Sequence, residues 1–365
     1  MEEEEEENEY TTDSIGFPMP PQQANKKQFW REVDITIYQV IHVIASTFLD
    51  LLEIRITLNR LNPPRLLISQ SIQYFSMLLA YFFRAFVNSY ARKKSENEDG
   101  QFQKLSAISA VTLTLLDISC DASAKIALLL SPREKIESFF GLLPLLQTLI
   151  SFFVFIHPTS YLSIIAVFVQ TVGYLFVSSN GVGKQYEPTQ QDKYQVFGLT
   201  ARTAGYVFAT ISLFLRCINL TMTQIMATSV RFTASSFCQG TGSWGLIITS
   251  AYHFFIYKNH KEKIVLLTPA TKVYRTLGLF IGVAALKHYT GFWLVLHTSA
   301  VEYTRVVMCS NLMMFAVRHV VFREDGAAFG YSQIPVAGLV IMFIGFALLC
   351  IAPPSMNDRE LLINN

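Results

Sequence analysis

Charge is what this sequence has least of. Only 15% of its 365 residues are Asp, Glu, Lys or Arg, against 51% that are apolar. Two long blocks, Pro158–Gly183 and Phe232–Tyr257, hold no charged side chain at all, and a third runs from Gly326 almost to the C-terminus. A water-soluble domain covers itself with charge, so this composition excludes one. A basic stripe is missing too. The balance is 29 basic to 27 acidic residues, net +2, so nucleic acid is not an expected partner. The N-terminus has no basic stretch ahead of an apolar core. Seven of its first nine residues are Glu, which is the reverse of a cleavable signal peptide. The first apolar segment is therefore expected to act as an uncleaved anchor.

Cysteine is scarce and unpaired in pattern. Cys120, Cys217, Cys238, Cys309 and Cys350 fall in or beside apolar blocks, with no C-x-x-C. They are expected as buried thiols rather than as a disulfide or a zinc site. Catalytic signatures are absent as well. There is no H-E-x-x-H and no G-x-S-x-G, and Gly181-Val182-Gly183-Lys184 lacks the spacing of a phosphate loop. Nothing here points to an enzyme, a cofactor or a metal.

What the chain does have is apolar length. About 20 mostly apolar residues cross the hydrocarbon core as a helix. By that rule about ten segments qualify: 34–57, 66–90, 105–130, 136–157, 159–179, 199–226, 235–257, 274–298, 300–322 and 333–352. Asn62-Pro63-Pro64, the run Arg92–Gly100, the stretch Gly181–Lys193, Lys258–Lys263 and Arg323–Gly326 separate them. The expected fold is all-α: a polytopic membrane protein of about ten transmembrane helices in two inverted five-helix repeats. The expected organisation is a disordered acidic cytosolic tail over 1–33 and a first repeat over 34–180. A connecting loop follows over 181–193, then a second repeat over 194–352 and a cytosolic tail over 353–365.

The inversion follows from the odd number of helices per half. A weak internal match accompanies it: Ser131–Phe155 aligns without gaps on Thr298–Phe322, and Gly173 falls on Gly345 after a short insertion. An even span count puts both termini on one side. Lys26, Lys27, Arg31 and Arg92-Lys93-Lys94 make that side cytosolic, while the basic loop Lys258–Lys263 votes the other way.

The third to fifth segments resemble the drug/metabolite transporter superfamily of ten-helix carriers. The parts that carry the likeness are Leu130-Ser131-Pro132, Gly141-Leu142-Leu143-Pro144-Leu145 and Val172-Gly173-Tyr174-Leu175. Val336-Ala337-Gly338 to Gly345-Phe346 is similar to the matching end of the second half. The Gly-rich start Gly240-Thr241-Gly242-Ser243-Trp244-Gly245 is similar to the solute-carrier-35-like and chloroquine-resistance-transporter-like branches. The likeness covers about residues 34–352. It implies alternating access and a small-molecule solute. The ninth segment reads Val301-Glu302-Tyr303-Thr304-Arg305 instead of the Gly-Ala-Leu-Asn-Lys type signature of some nucleotide-sugar carriers.

Charges inside apolar segments mark candidate sites, since each costs roughly 2.5–3.5 kcal/mol at a helix centre on insertion scales. Asp117, Asp121 and Lys125 recur every fourth residue and so share one helix face. Asp121 and Lys125 are spaced to pair locally, which leaves Asp117 without a local partner. The alternative is that the face lines an aqueous cavity and binds a solute or a proton. Lys287 and His288 lie mid-way along the eighth segment, the counterpart of the third, either facing that cavity or reaching an interface. Glu302 and Arg305 are spaced to form a mutual ion pair, and Arg305 alternatively offers a fork to an anion. Arg202 and Arg216 interrupt the sixth segment, whose boundaries are too loose for a site assignment.

The expected function is secondary transport of a small polar or charged solute. The alternative is a non-transporting membrane receptor or scaffold acting through its cytosolic tails. Asp358, Leu362 and Ile363 fit an acidic dileucine pattern read by sorting adaptors, which favours an internal membrane, endolysosomal, vacuolar or Golgi, over the plasma membrane. The lipid bilayer is the obligatory partner, and self-association into a homo-oligomer is compatible with the pattern.

Overall fold

The computed structural model describes residues 21–58, 68–92, 105–131, 136, 139–155, 161–178, 195–196, 198–229, 232–260, 270–317 and 333–351. Ten helices are present among them: α1 (Pro21–Leu58), α2 (Ile68–Arg92), α3 (Ala107–Leu130), α4 (Leu143–Phe155) and α5 (Tyr161–Ser178) precede α6 (Ala201–Ser229), α7 (Ala234–His260), α8 (Ala270–His297), α9 (Ala300–Val317) and α10 (Gln333–Ile351). Each falls on one of the expected segments. Three contain stretches long and apolar enough to cross a membrane: Trp30–Glu53, Ala201–Ala227 and Val273–His297. The protein is thus all-helical and of multi-pass membrane type.

Two expectations need correction. Helix α1 begins at Pro21, so residues 21–33, assigned to a disordered tail, are helical. A proline suits a first turn, where its missing N–H has no partner to lose, and no breaker follows it. A short hairpin also precedes α6, and its second strand takes Leu199 and Thr200, where the sixth helical segment was expected to begin. Strands β1 (Gln195–Val196) and β2 (Leu199–Thr200) pair antiparallel, with Gln195 opposite Thr200. Gly198 turns the chain at φ +75°, a left-handed value that a side chain would strain. The expected loop 181–193, residues 93–100 of the expected loop 92–100, and the tail 353–365 lie outside the described residues.

Local chemistry sets where several helices begin. Ser106, Thr200, Thr233 and Ser299 each accept a backbone N–H from the third residue on, at 3.1–3.3 Å. These are N-caps, each satisfying an amide that the first turn leaves open. Pro144 sits in the first turn of α4, where proline is tolerated. Inside the helices, buried hydroxyls turn back on their own backbone. Thr114, Thr148, Thr241, Thr249 and Ser76 donate to the carbonyl four residues earlier at 2.6–2.7 Å. A hydroxyl satisfied this way asks little of the neighbouring helix; Thr114 and Thr241 add long contacts across the seam, to the Thr241 carbonyl at 3.4 Å and to Met77 Sδ at 3.5 Å.

The outside of the bundle is apolar. Phe82, Phe83, Phe86, Phe153, Phe254, Phe255 and Phe343 are all exposed. A surface of that kind belongs in lipid, not water.

Helices pack in a regular scheme. Helix α1 lies on α8, α3 on α6, α2 on α7, α5 on α10, and α4 on α9. Shifting every helix by five exchanges the first two pairings and returns each of the other three to itself. The pairings α2–α8 and α3–α7 exchange too, as do α1–α9 and α4–α6. The residue contacts follow the same relation. A Cβ on Gly173 would meet Met342 and Gly338, and one on Gly345 would meet Gln170 and Ala166. Moving each residue by 172 turns the second set into the first. A Cβ on Gly242 would meet Tyr74 and Met77, and one on Gly245 would meet Tyr74. Helices α5 and α10 run antiparallel, and so do α2 and α7.

Small residues make these crossings close. Gly173 and Gly338 stand back to back across α5 and α10, where each would drive a side chain into the other helix's backbone. Gln170 is fully buried at the same crossing, and neither end of its amide has a hydrogen-bond partner. Nothing in the structure accounts for that residue.

Gly173→Val should therefore lower the detergent melting temperature clearly, because overpacking a close crossing costs about 1–3 kcal/mol or more. Gly278→Val, where an added Cβ meets nothing within 4 Å, should cost far less. Equal melting temperatures for the two variants would show that the crossing is not tight.

Candidate functional site

The first question about the buried-charge candidates is which way they point. On α6 the exposed apolar residues Val207, Ile211, Phe214, Ile218 and Ile225 form one stripe. Arg216 lies two residues from both Phe214 and Ile218, about 200° round the helix from each. It therefore points away from the lipid face. Yet its side chain is 45% accessible. An arginine that is open on the inner side of a helix faces polar space within the bundle. On α3 the exposed stripe is Ile108, Leu115, Ser119 and Ile126, and Asp117 lies two residues from both Leu115 and Ser119. It too points inward. On α8, Lys287 continues the buried row Phe280, Ala284, Gly291 and Leu294.

Helix register brings these faces together. Ser131 Oγ donates to the Arg202 carbonyl at 2.9 Å, and Ser212 Oγ donates to the Cys120 carbonyl at 2.9 Å. These bonds fix α3 and α6 antiparallel and set Arg216 beside the aspartates. Arg216 Nη2 donates to Asp121 Oδ1 at 3.2 Å, an ion pair with the carboxylate side chain 22% accessible. Asp121 Oδ2 accepts a long bond, 3.4 Å, from Gln70 Nε2 on α2. Asp117 Oδ2 accepts from the buried Tyr74 hydroxyl on α2 at 2.8 Å. Lys125 Nζ donates to Ser69 Oγ at 3.3 Å.

Lys287 completes the charged group from the opposite side. Its charge and that of Arg216 both act on Asp117 and on Tyr303 of α9. His42 of α1 and His288 of α8 also lie in the field of Lys287. His42 is buried and held in one tautomer. Thr290 Oγ1 gives its proton to the Leu286 carbonyl at 2.8 Å, so it accepts from His42 Nδ1 at 2.9 Å. That leaves His42 Nε2 to accept from Ser46 Oγ at 3.3 Å. His288 is different, for its Nε2 is buried without a hydrogen-bond partner.

Of the sequence-predicted residues, Asp117, Asp121 and Lys287 share one polar interior, with His288 at its edge. Lys125 points a turn further along, to the start of α2. Glu302 and Arg305 instead close on each other, at 2.7 Å, as their spacing implied. Gln39 of α1 donates to Glu302 at 3.2 Å and ties that pair across the bundle.

The local Asp121–Lys125 pair expected from spacing is not formed. Arg216 takes the carboxylate because α6 delivers a guanidinium directly onto it, while Ser69 occupies the lysine. Nor is Asp117 alone, since Tyr74 supplies a donor from α2. Tyr74, Gln70 and Tyr303 are residues that sequence reading passed over, and Arg216 was noted there without being assigned to a site. Only Arg216 carried a usable signal, its position opposite the α6 apolar stripe.

Chemically the arrangement sets an accessible guanidinium beside two carboxylates. Arginine carries five N–H donors in a planar fork, and a single short contact to Asp121 leaves most of them open toward the accessible space.

No family model matches this chain, and no curated protein matches it. The chain does superpose on a solved structure described as "Crystal structure of protein", with a TM-score of 0.57 over 88% of this chain and 98% of the other, at 12% sequence identity. At that identity the likeness is one of fold alone.

The Arg216–Asp121 pair should behave as a coupled unit. Asp121→Asn and Arg216→Gln, singly and together, should show non-additive losses in thermal stability, with a coupling of about 0.5–3 kcal/mol. The low end is expected because Arg216 is nearly half accessible, which screens the pair. Additive losses would mean that the two charges do not meet.

Proposed function

We propose that the protein is a secondary carrier of a small anionic solute. In this reading its ten helices are ten spans in two inverted five-helix halves, on the plan of the drug/metabolite transporter superfamily. The observation that carries it is Arg216, a half-accessible guanidinium mid-way along α6, on the face opposite the lipid stripe. A charge held there without a function would cost several kcal/mol. A solute-filled cavity gives it a role and a dielectric that tolerates it.

The five-helix shift that carries the main helix pairings onto one another supports the inverted repeat. A two-fold axis in the membrane plane makes each helix antiparallel to its counterpart, as α2 is to α7 and α5 to α10. The polar interior lies between helices of both halves, where rocking one half against the other would open it to alternate sides. The anionic solute is favoured over a cationic one by access. Arg216 is more open than Asp121, and Asp117 already accepts from Tyr74.

The acidic dileucine pattern at Asp358, Leu362 and Ile363, outside the described residues, supports an internal membrane. The receptor alternative rests on the terminal tails, also outside them, and no structural feature favours it.

Purified protein in liposomes should take up a labelled organic anion from a panel of carboxylates and phosphates. Arg216→Gln should reduce that uptake by roughly 10–100-fold, the loss of one charge-assisted contact worth about 1.5–3 kcal/mol. Arg275→Gln, at an exposed position on α8, should leave uptake unchanged. Undiminished uptake by Arg216→Gln would remove this residue from the pathway, and the proposal with it.

A further inference from the structure

We propose that the site takes a zwitterion of the α-amino acid type, whose carboxylate meets Arg216 and whose ammonium meets Asp121. This inference rests on the anion-carrier reading of the same site and names the solute class, the anionic group being one end of the zwitterion.

The looseness of the Arg216–Asp121 pair carries it. Charge-assisted N–H···O bonds commonly run about 2.7–2.9 Å. Asp121 has two contacts, both longer: 3.2 Å from Arg216 on Oδ1 and 3.4 Å from Gln70 on Oδ2. The Arg305–Glu302 pair is tighter. It closes at 2.7 Å, and Gln39 gives its carboxylate a further donor. A carboxylate has room for about four donors, so Asp121 can receive an ammonium without surrendering what it holds. Arg216 makes one contact to Asp121 with a fork that carries several more N–H groups. Both partners open onto the polar interior, with 45% and 22% of their side chains accessible. A solute therefore meets a cation and a carboxylate at one place.

The neighbouring charges do not offer this. Asp117 accepts a short bond, 2.8 Å, from the buried Tyr74 hydroxyl. Lys125, one turn beyond Asp121, donates to Ser69.

Charge balance separates a zwitterion from a plain anion. Lys287 approaches from α8, so the centre formally holds two cations, Arg216 and Lys287, and two carboxylates, Asp117 and Asp121. One turn out, Lys125 has Glu53 of α1 in its field. A plain anion would add a net charge to this balanced centre, inside a bundle that penalises uncompensated charge. A zwitterion adds none. It closes a ring of alternating charges with the resident pair, and no group has to gain or lose a proton.

Spacing narrows the class. Arg216 Nη2 and Asp121 Oδ1 are 3.2 Å apart, so the two charges of the solute must be close neighbours as well. An amine and a carboxylate on one carbon meet that condition. An amine at the far end of a long chain does not.

The test uses the full-length protein in nanodiscs at about pH 6.5, where carboxylates are ionised and amines protonated. The common α-amino acids are screened for thermal stabilisation of the protein. Titration calorimetry then compares the best binder with its 2-hydroxy acid, which has a hydroxyl for the ammonium, and with its amide, which lacks the carboxylate charge. The wild type should bind the amino acid roughly tenfold or more tighter than either analogue, and ε-aminocaproate as weakly as the analogues. Asp121→Asn should bind the amino acid no tighter than the 2-hydroxy acid. Arg216→Gln should weaken both of these and leave the amide unchanged.

A 2-hydroxy acid that binds the wild type as tightly as the amino acid overturns the proposal, needs no variant, and leaves the anion-carrier reading intact. A preference that persists in Asp121→Asn overturns the assignment of the ammonium to Asp121. If no amino acid stabilises the protein, the proposal is overturned. The anion-carrier reading then stands where the panel of carboxylates and phosphates is still taken up, and falls too where it is not.

Discussion

An arginine in the middle of an apolar bundle imposes conditions on everything around it. It needs a counter-ion, polar space, and a helix face turned from lipid, because a lone guanidinium in hydrocarbon is among the costliest placements a chain can make. All three conditions meet at Arg216. Asp121 neutralises it, the interior leaves it accessible, and the stripe Val207, Ile211, Phe214 and Ile218 sets the lipid side opposite. The register between α3 and α6, held by Ser131 and Ser212, is what makes the pairing geometrically available. Slide one helix by a turn and both charges lose their partner.

The same interior explains why so many neutral polar groups gather there. Tyr74, Gln70, Ser69 and His42 are buried, yet each has a donor or acceptor role toward a neighbour. Buried polar groups are costly unless they are answered, and Gln170 at the α5–α10 crossing is a described exception. Around the charged centre they are answered across helices, and elsewhere in the bundle mostly within one helix. That contrast separates the charged centre from the part of the bundle that packs through apolar side chains.

Much of the helical plan was legible from the sequence. Charge-free blocks long enough to cross a bilayer have few alternatives to a helix, so the ten segments and the ten helices coincide. The start of α1 was less legible, since a polar run of Pro, Gln and Lys behind an acidic stretch reads as tail until the periodic segment after it is seen to extend through it. Of the polar centre, the i, i+4 spacing of Asp117 and Asp121 declared a shared face, and Lys287 and His288 marked the middle of the counterpart segment, α8. Tyr74 and Gln70 left no trace, because a neutral residue far along the chain becomes a partner only through helix packing. Arg216 was hidden for another reason. Arg202 on the same segment blurred the boundaries against which its angular position has to be measured.

The inward-turned hydroxyls of Thr114, Thr148, Thr241 and Thr249 have a mechanical consequence. Each has a short bond to its own helix, and the contacts that Thr114 and Thr241 add across the seam are long, 3.4 and 3.5 Å, so these hydroxyls add little that would have to break when one rod slides past another. Friction in such a bundle is concentrated where cross-helix polar bonds exist, chiefly around Arg216, Asp117 and the Gln39–Glu302 tie. A ligand that rearranges those few bonds would therefore govern the motion of the whole assembly while touching only a small part of it.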